Sequence, residues 1–162
     1  MYQLPASDFK LGAGNFLREE VIKMKNKGFT LVEIMIVVAI IALLAAIAIP
    51  NLMRAKIVAN QAAAMATLKT ISTSCETFAA ANNGTYPNAM ASLTGATPPY
   101  LNANPIGNAN GYTYAAATQT IGAYTFTAVP VTLNSSGNDS YSICTGGVLR
   151  TAAGTVTAPG CP

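Results

Sequence analysis

From Ile34 to Met53 the chain runs through twenty consecutive residues without a charge, most of them Ile, Val, Ala and Leu. A run of that length and composition crosses the hydrocarbon core of a bilayer as a helix. Pro50 falls near its end and removes one backbone donor, which predicts a kink or local melting over residues 46–50, or a membrane-helix proline with no mechanical role. Beyond Pro50 the pattern changes. Met65, Leu68, Ile71, Cys75 and Phe78 recur at spacings of three, three, four and three, the signature of one apolar face on an amphipathic helix. Asn82-Asn83-Gly84 supplies a stop, because glycine and asparagine tolerate the left-handed backbone found just past a helix end. A continuous helix from Thr30 to about Ala81 would be roughly 75–80 Å long at 1.5 Å per residue.

After the helix, Thr85-Tyr86-Pro87, Thr97-Pro98-Pro99-Tyr100 and residues 102–111 are dense in turn formers without a sustained period, which predicts a connecting loop. Tyr112 to Ala115, Tyr124 to Leu133 and Tyr141 to Thr151 then read as strands. In the second, Tyr124, Phe126 and Ala128 occupy one face and Thr125, Thr127 and Val129 the other. Residues 134–139 and Thr145-Gly146-Gly147 are the expected turns, and Pro130 suggests an edge or a bulge. The predicted fold class is α+β: a long N-terminal helix laid on a small antiparallel sheet of three to four strands.

Charge sharpens the division. Residues 1–28 carry Lys10, Arg18, Lys23, Lys25 and Lys27 against Asp8, Glu19 and Glu20, whereas the rest of the chain has only Arg54, Lys56, Lys69 and Arg150 against Glu33, Glu76 and Asp139. Such sparse charge offers no footprint for nucleic acid. Histidine is absent, and no two acids lie near one another after Gly28, so acid–base catalysis and metal binding have little to work with. The chain reads as a non-enzyme with no cofactor and no metal site. Lys23, Lys25 and Lys27 before the apolar run place that end in the cytoplasm and the remainder outside. Arg54 and Lys56 on the far side weaken that asymmetry.

An ordinary secretory signal has its small-residue cut after the apolar stretch; here a basic patch and a glycine come first. Lys27-Gly28-Phe29-Thr30-Leu31-Val32-Glu33 resembles the type III signal of type IV pilins, type II secretion pseudopilins and related prepilins. The resemblance covers Lys25 to about Asn60. It implies a leader, residues 1–28, cut after Gly28 by a membrane prepilin peptidase that also N-methylates Phe29. It implies further a membrane and filament-core segment over residues 29–53 and a globular head over residues 54–162 that includes the amphipathic half of the helix. The start of translation is either Met1, with an unusually long leader, or Met24.

Glu33 enters an apolar helix only four residues after Phe29, and a carboxylate there costs a few kcal/mol unless compensated. It is either an interfacial glutamate held in the headgroups or, as the resemblance implies, the partner of the Phe29 amine in its own or a neighbouring subunit, where it would fix register. Aromatics on the helix are confined to Phe29 and Phe78, which gives little support to an aromatic conduction track. The three cysteines of an exported head imply one disulfide and one thiol. Cys144–Cys161 would staple the C-terminal tail to the last strands and leave Cys75 buried; pairing of Cys75 with either stays open.

The functional expectation is a structural subunit, in particular a major pilin, of an extracellular type IV pilus serving adhesion, twitching motility or DNA uptake. It would pass from an inner-membrane pool to a homo-oligomeric surface filament with the help of the peptidase, an assembly ATPase and a platform protein, all implied by the resemblance. Asn83-Gly84-Thr85-Tyr86-Pro87 and residues 104–112 resemble the head of the major type II pseudopilin, which makes a secretion pseudopilus the alternative. That family's calcium site needs acidic loop residues, and this head offers Asp139 alone. A membrane-tethered receptor that never polymerises is the third reading.

Overall fold

The computed structural model describes residues 28–161. The predicted leader falls almost wholly outside them, with Lys23, Met24, Lys25 and Lys27. The chain divides into two units between Leu43 and Leu44.

The first unit enters helix α1 (Leu31–Ala81) through the extended residues 28–30. Leu31, Val32, Met35, Ile36 and Val38 are all more than half exposed, so this stretch presents apolar side chains in every direction.

In the second unit α1 continues with Leu44, Ile47, Ile49, Leu52 and Met53 equally exposed. The helix remains helical through Pro50. Its surface changes after Val58. Ala64, Leu68, Ile71, Cys75 and Ala79 are buried, and Met65 and Phe78 pack against them half-buried, which is the face the spacing predicts. The helix stops as expected: Asn83 and Gly84 take φ of 54° and 81°. The Gly84 amide donates to the Ala79 carbonyl at 2.8 Å, and the Asn82 side chain donates to Phe78 O at 2.8 Å. Carbonyls left over at a helix end are satisfied in this way.

The stretch predicted as loop holds a short helix, α2 (Met90–Thr94), whose Met90 and Leu93 are buried in the core. A single helical turn carries too few apolar positions to show a period. The sheet also exceeds the predicted three to four strands. Five antiparallel strands follow one another in chain order: β1 (Gly107–Ala109), β2 (Tyr112–Thr120), β3 (Ala123–Pro130), β4 (Asp139–Cys144) and β5 (Val148–Ala153). The extra strand, β1, is joined to β2 by Asn110-Gly111 with φ of 50° and 74°, the left-handed pair that a two-residue hairpin turn demands. The third predicted strand is split in two by Gly146 and Gly147, φ 78° and 74°. Pro130 closes β3 where pairing with β4 has already ended at Ala128. The sheet's irregularity lies in β2, between Ala116 and Thr118, where a bulge breaks up an edge that would otherwise template another strand.

The core lies between the second half of α1, α2 and the inner face of the sheet, where Tyr112, Tyr114, Tyr124, Phe126, Tyr141 and Ile143 meet Leu68, Ile71 and Leu93. Full burial of each large side chain contributes on the order of 1.5–3 kcal/mol. β4 is buried on both faces. Tyr141 and Ile143 join the core, while Ser140 donates to Thr155 O at 2.6 Å and Cys144 is bonded to Cys161, so the C-terminal tail covers the outer side. Cys144–Cys161 is thus the disulfide, and Cys75 is the buried free thiol.

Gly137 is buried beneath Tyr112, and a Cβ there would run into the tyrosine hydroxyl and ring. That hydroxyl donates to Asp139 O at 2.8 Å. Gly137→Ala is therefore expected to destabilise the chain by about 2–3 kcal/mol. Thermal unfolding of the full chain in detergent should show a midpoint lowered by roughly 5–10 °C.

Candidate functional site

The start of α1 is built by Thr30 and Glu33. The Thr30 amide and hydroxyl donate to Glu33 Oε2 at 2.9 and 3.0 Å, and the Glu33 amide donates back to Thr30 Oγ1 at 3.2 Å. This reciprocal arrangement satisfies backbone donors that a helix start leaves without partners, and its signature is Thr-x-x-Glu. Thr30-Leu31-Val32-Glu33 carries this signature within the same residues that resemble the prepilin signal. Both of Glu33's bonds fall on Oε2, which leaves Oε1 to accept a further donor. Gly28, Phe29, Thr30 and Glu33 line one shallow hollow, with Phe29 exposed. The residues assigned to cleavage, methylation and amine pairing therefore stand together. Pro50 sits further along the helix.

A second cluster lies in the second unit. Glu76 projects from α1 and accepts from Tyr124 Oη at 2.7 Å and from the Gly146 amide at 2.9 Å on Oε1, and from Tyr86 Oη at 3.0 Å on Oε2. Ser72 Oγ lies 2.8 Å from Tyr124 Oη, and the Gly147 amide donates to the same oxygen at 3.3 Å. Successive left-handed glycines turn their amides into a nest for negative oxygen. One carboxylate thereby ties the helix, the loop after it, β3 and the β4–β5 turn. Nothing in sequence spacing links position 76 to positions 86, 124 and 146.

Burial pushes the neighbouring Cys75 thiol up to about 12, with the Glu76 charge adding to the effect. Burial raises the Tyr124 and Tyr112 hydroxyls above the ordinary tyrosine range as well. These groups hold their protons in the folded state more tightly than in the unfolded one. Their stabilisation is therefore complete below pH 9 and is lost as pH rises toward 12. Among the described residues no group of three or more His, Cys, Asp or Glu could hold a metal ion. The arrangement anchors the sheet and the loop to the helix.

Residues 23–49 match the family described as "Prokaryotic N-terminal methylation motif". The chain is 50% identical over 54 residues to the type IV major pilin protein PilA of Myxococcus xanthus, covering 33% of this chain and 24% of that protein. It is 63% identical over 38 residues to the type IV wide pilus major component PilA4 of Thermus thermophilus, covering 23% of this chain and 29% of that one. The chain thus matches about a quarter of the length of these curated relatives.

Two outcomes are expected. Glu76→Ala should cost about 1–3 kcal/mol by taking the acceptor from the buried Tyr124 and half-buried Tyr86 hydroxyls, and Glu76→Gln clearly less because its amide oxygen still accepts; denaturation in detergent orders the two. The Cys75 thiol should resist iodoacetamide at pH 8 in the native chain and react readily once denatured, read by intact mass.

Proposed function

We propose that this chain, a member of the type IV pilin family through its N-terminal segment, is the repeating major subunit of an extracellular pilus. One observation carries the reading: from Leu31 to Met53 the large apolar side chains of α1 stand exposed on all sides. That surface suits lipid while the subunit waits in the membrane and suits identical helices once it assembles. Cleavage after Gly28 frees the Phe29 amine, and methylation keeps it cationic.

Glu33 then has two tasks. Oε2 stays with Thr30 and closes the helix start, while Oε1 takes the Phe29 amine of its own or a neighbouring subunit. A misplaced copy leaves both charges unpaired in an apolar interior, so the pair selects register more than it adds stability. Pro50 is helical in the free chain; we assign it the point at which residues 46–50 extend when copies pack, since a missing amide lowers the cost of opening there. A prepilin peptidase, an assembly ATPase and a platform protein serve this route.

In the head, Glu76 and the aromatic core pack and anchor the sheet on the helix, in keeping with a structural role. Adhesion, twitching motility and DNA uptake are the uses open to such a filament. The alternative, a pseudopilin of type II secretion, draws on the same N-terminal segment. Deleting the gene separates them: the pilus reading expects loss of surface fibres with protein export intact, and lost export with normal fibres would overturn it.

Mass spectrometry of the mature protein should find N-methyl-Phe29 as its first residue, whereas retention of Met1 or Met24 contradicts the processing. Glu33→Ala is expected to leave expression and membrane insertion unchanged while abolishing filaments, scored by electron microscopy of sheared cells. Filaments at the native level in that variant would remove Glu33 from assembly.

A further inference from the structure

The uncharged run of α1 ends at Arg54, and Lys56 follows two residues later. Both side chains are exposed. Two residues turn an α-helix through about 200°, so the pair projects from opposite sides and no single flat surface takes both. The acids after Gly28 are Glu33, Glu76 and Asp139, and each accepts hydrogen bonds within the chain: Glu33 from Thr30, Glu76 from Tyr86, Tyr124 and Gly146, and Asp139 from Gln61. Among the described residues none of these acids is bonded to Arg54 or Lys56, so both cations are open to negative oxygen from outside the chain.

We propose that Arg54 and Lys56 form a collar that binds the phosphates of lipid headgroups on the outer side of the membrane, and so sets the depth of the unassembled subunit. The inference rests on the reading of the apolar half of α1 as a membrane span. The twenty uncharged residues from Ile34 to Met53 rise about 30 Å, the thickness of the hydrocarbon core. Whatever follows Met53 then stands at phosphate level. A lone helix in a bilayer meets headgroups all around its circumference, which suits cations on opposite sides. The Arg54 guanidinium offers a fork to two phosphate oxygens and the Lys56 ammonium a point charge.

The residues just beyond show that the collar, and no shortage of apolar side chains, marks the boundary. Ile57 is half-buried and Val58 is exposed, and with positions 54 and 56 neutral the apolar run would reach Val58. The chain could then sink by about one helical turn. Asn60 donates to Ser136 O at 2.8 Å and Gln61 to Asp139 Oδ2 at 3.1 Å, so the head's bonds to the helix begin about one turn past the collar. Holding the span at Met53 keeps the turn at residues 134–138 out of the headgroups.

The test places the full chain carrying Arg18→Lys, labelled with carbon-13 at the arginine guanidinium, in phosphatidylcholine vesicles containing some phosphatidylglycerol, in phosphate-free buffer. Carbon–phosphorus dipolar dephasing is expected and should be largely lost in Arg54→Gln. Amide broadening by a water-borne paramagnetic chelate should begin just past Met53 in the native chain and shift about one turn toward Val58 in Arg54→Gln/Lys56→Gln; Arg54→Lys should restore the native boundary. Dephasing that survives Arg54→Gln, or a boundary unmoved in the double variant, overturns the collar. A chain that stays out of the vesicles removes the span and the collar together. A chain that inserts as described yet forms no filament in cells leaves the collar standing and sinks the pilus reading.

Discussion

Apolar side chains exposed around the whole circumference of a helix cannot be left in water. Between Leu31 and Met53 none of the described residues forms a second layer over them, and a surface of that kind is stable against lipid or against more of the same surface. Every other feature of the N-terminal half follows from that condition. The backbone groups satisfy themselves along the helix. The donors at its start are closed by Thr30 and Glu33, and after Glu33 no charge follows until Arg54.

The head solves the opposite problem. A sheet of short strands with few charges has to be fixed to one long helix, and most of the burial is aromatic: Tyr112, Tyr114, Tyr124, Phe126 and Tyr141 on the inner face. Apolar packing alone leaves the sheet free to slide along the helix, since the energy depends mainly on area. Glu76 removes that freedom, because its oxygens meet donors from three other parts of the head in fixed directions. The C-terminal tail closes the other side through Ser140 and the Cys144–Cys161 disulfide, which gives β4 two covered faces in a sheet otherwise open on its outer side.

What the sequence makes legible follows the range of each interaction. The long helix, its apolar half, its amphipathic face at Leu68, Ile71 and Cys75 and its stop at Asn82-Asn83-Gly84 are all local patterns, and all are found. The alternation of Tyr124, Phe126 and Ala128 against Thr125, Thr127 and Val129 is local too. β1 is invisible because three residues, Gly107–Ala109, pair only by virtue of the turn that follows them. Asn110-Gly111 was the available cue. The turn between β4 and β5 falls at Thr145-Gly146-Gly147, where the local glycine pair predicts it. Glu76 has no such cue: its partners lie 10, 48 and 70 residues away, and only the folded chain brings them to one carboxylate. At the candidate site Gly28, Phe29 and Glu33 lie within six residues of one another, so their proximity is a local feature, as is the Thr-x-x-Glu pattern that closes the helix start at Thr30 and Glu33.

The division between stalk and head also explains where a carboxylate can be tolerated. Glu76 is engaged on both oxygens by three of the head's own donors. Glu33 is only half engaged: Oε2 holds the helix start, so the carboxylate is already oriented before any partner arrives. An oriented acceptor loses little conformational freedom when it takes a charge, and a partner that fails to arrive leaves Oε1 bare in apolar surroundings. In the proposed filament that acceptor would be the directional element of an otherwise apolar stalk, because the threonine three residues before it already fixes the carboxylate's orientation.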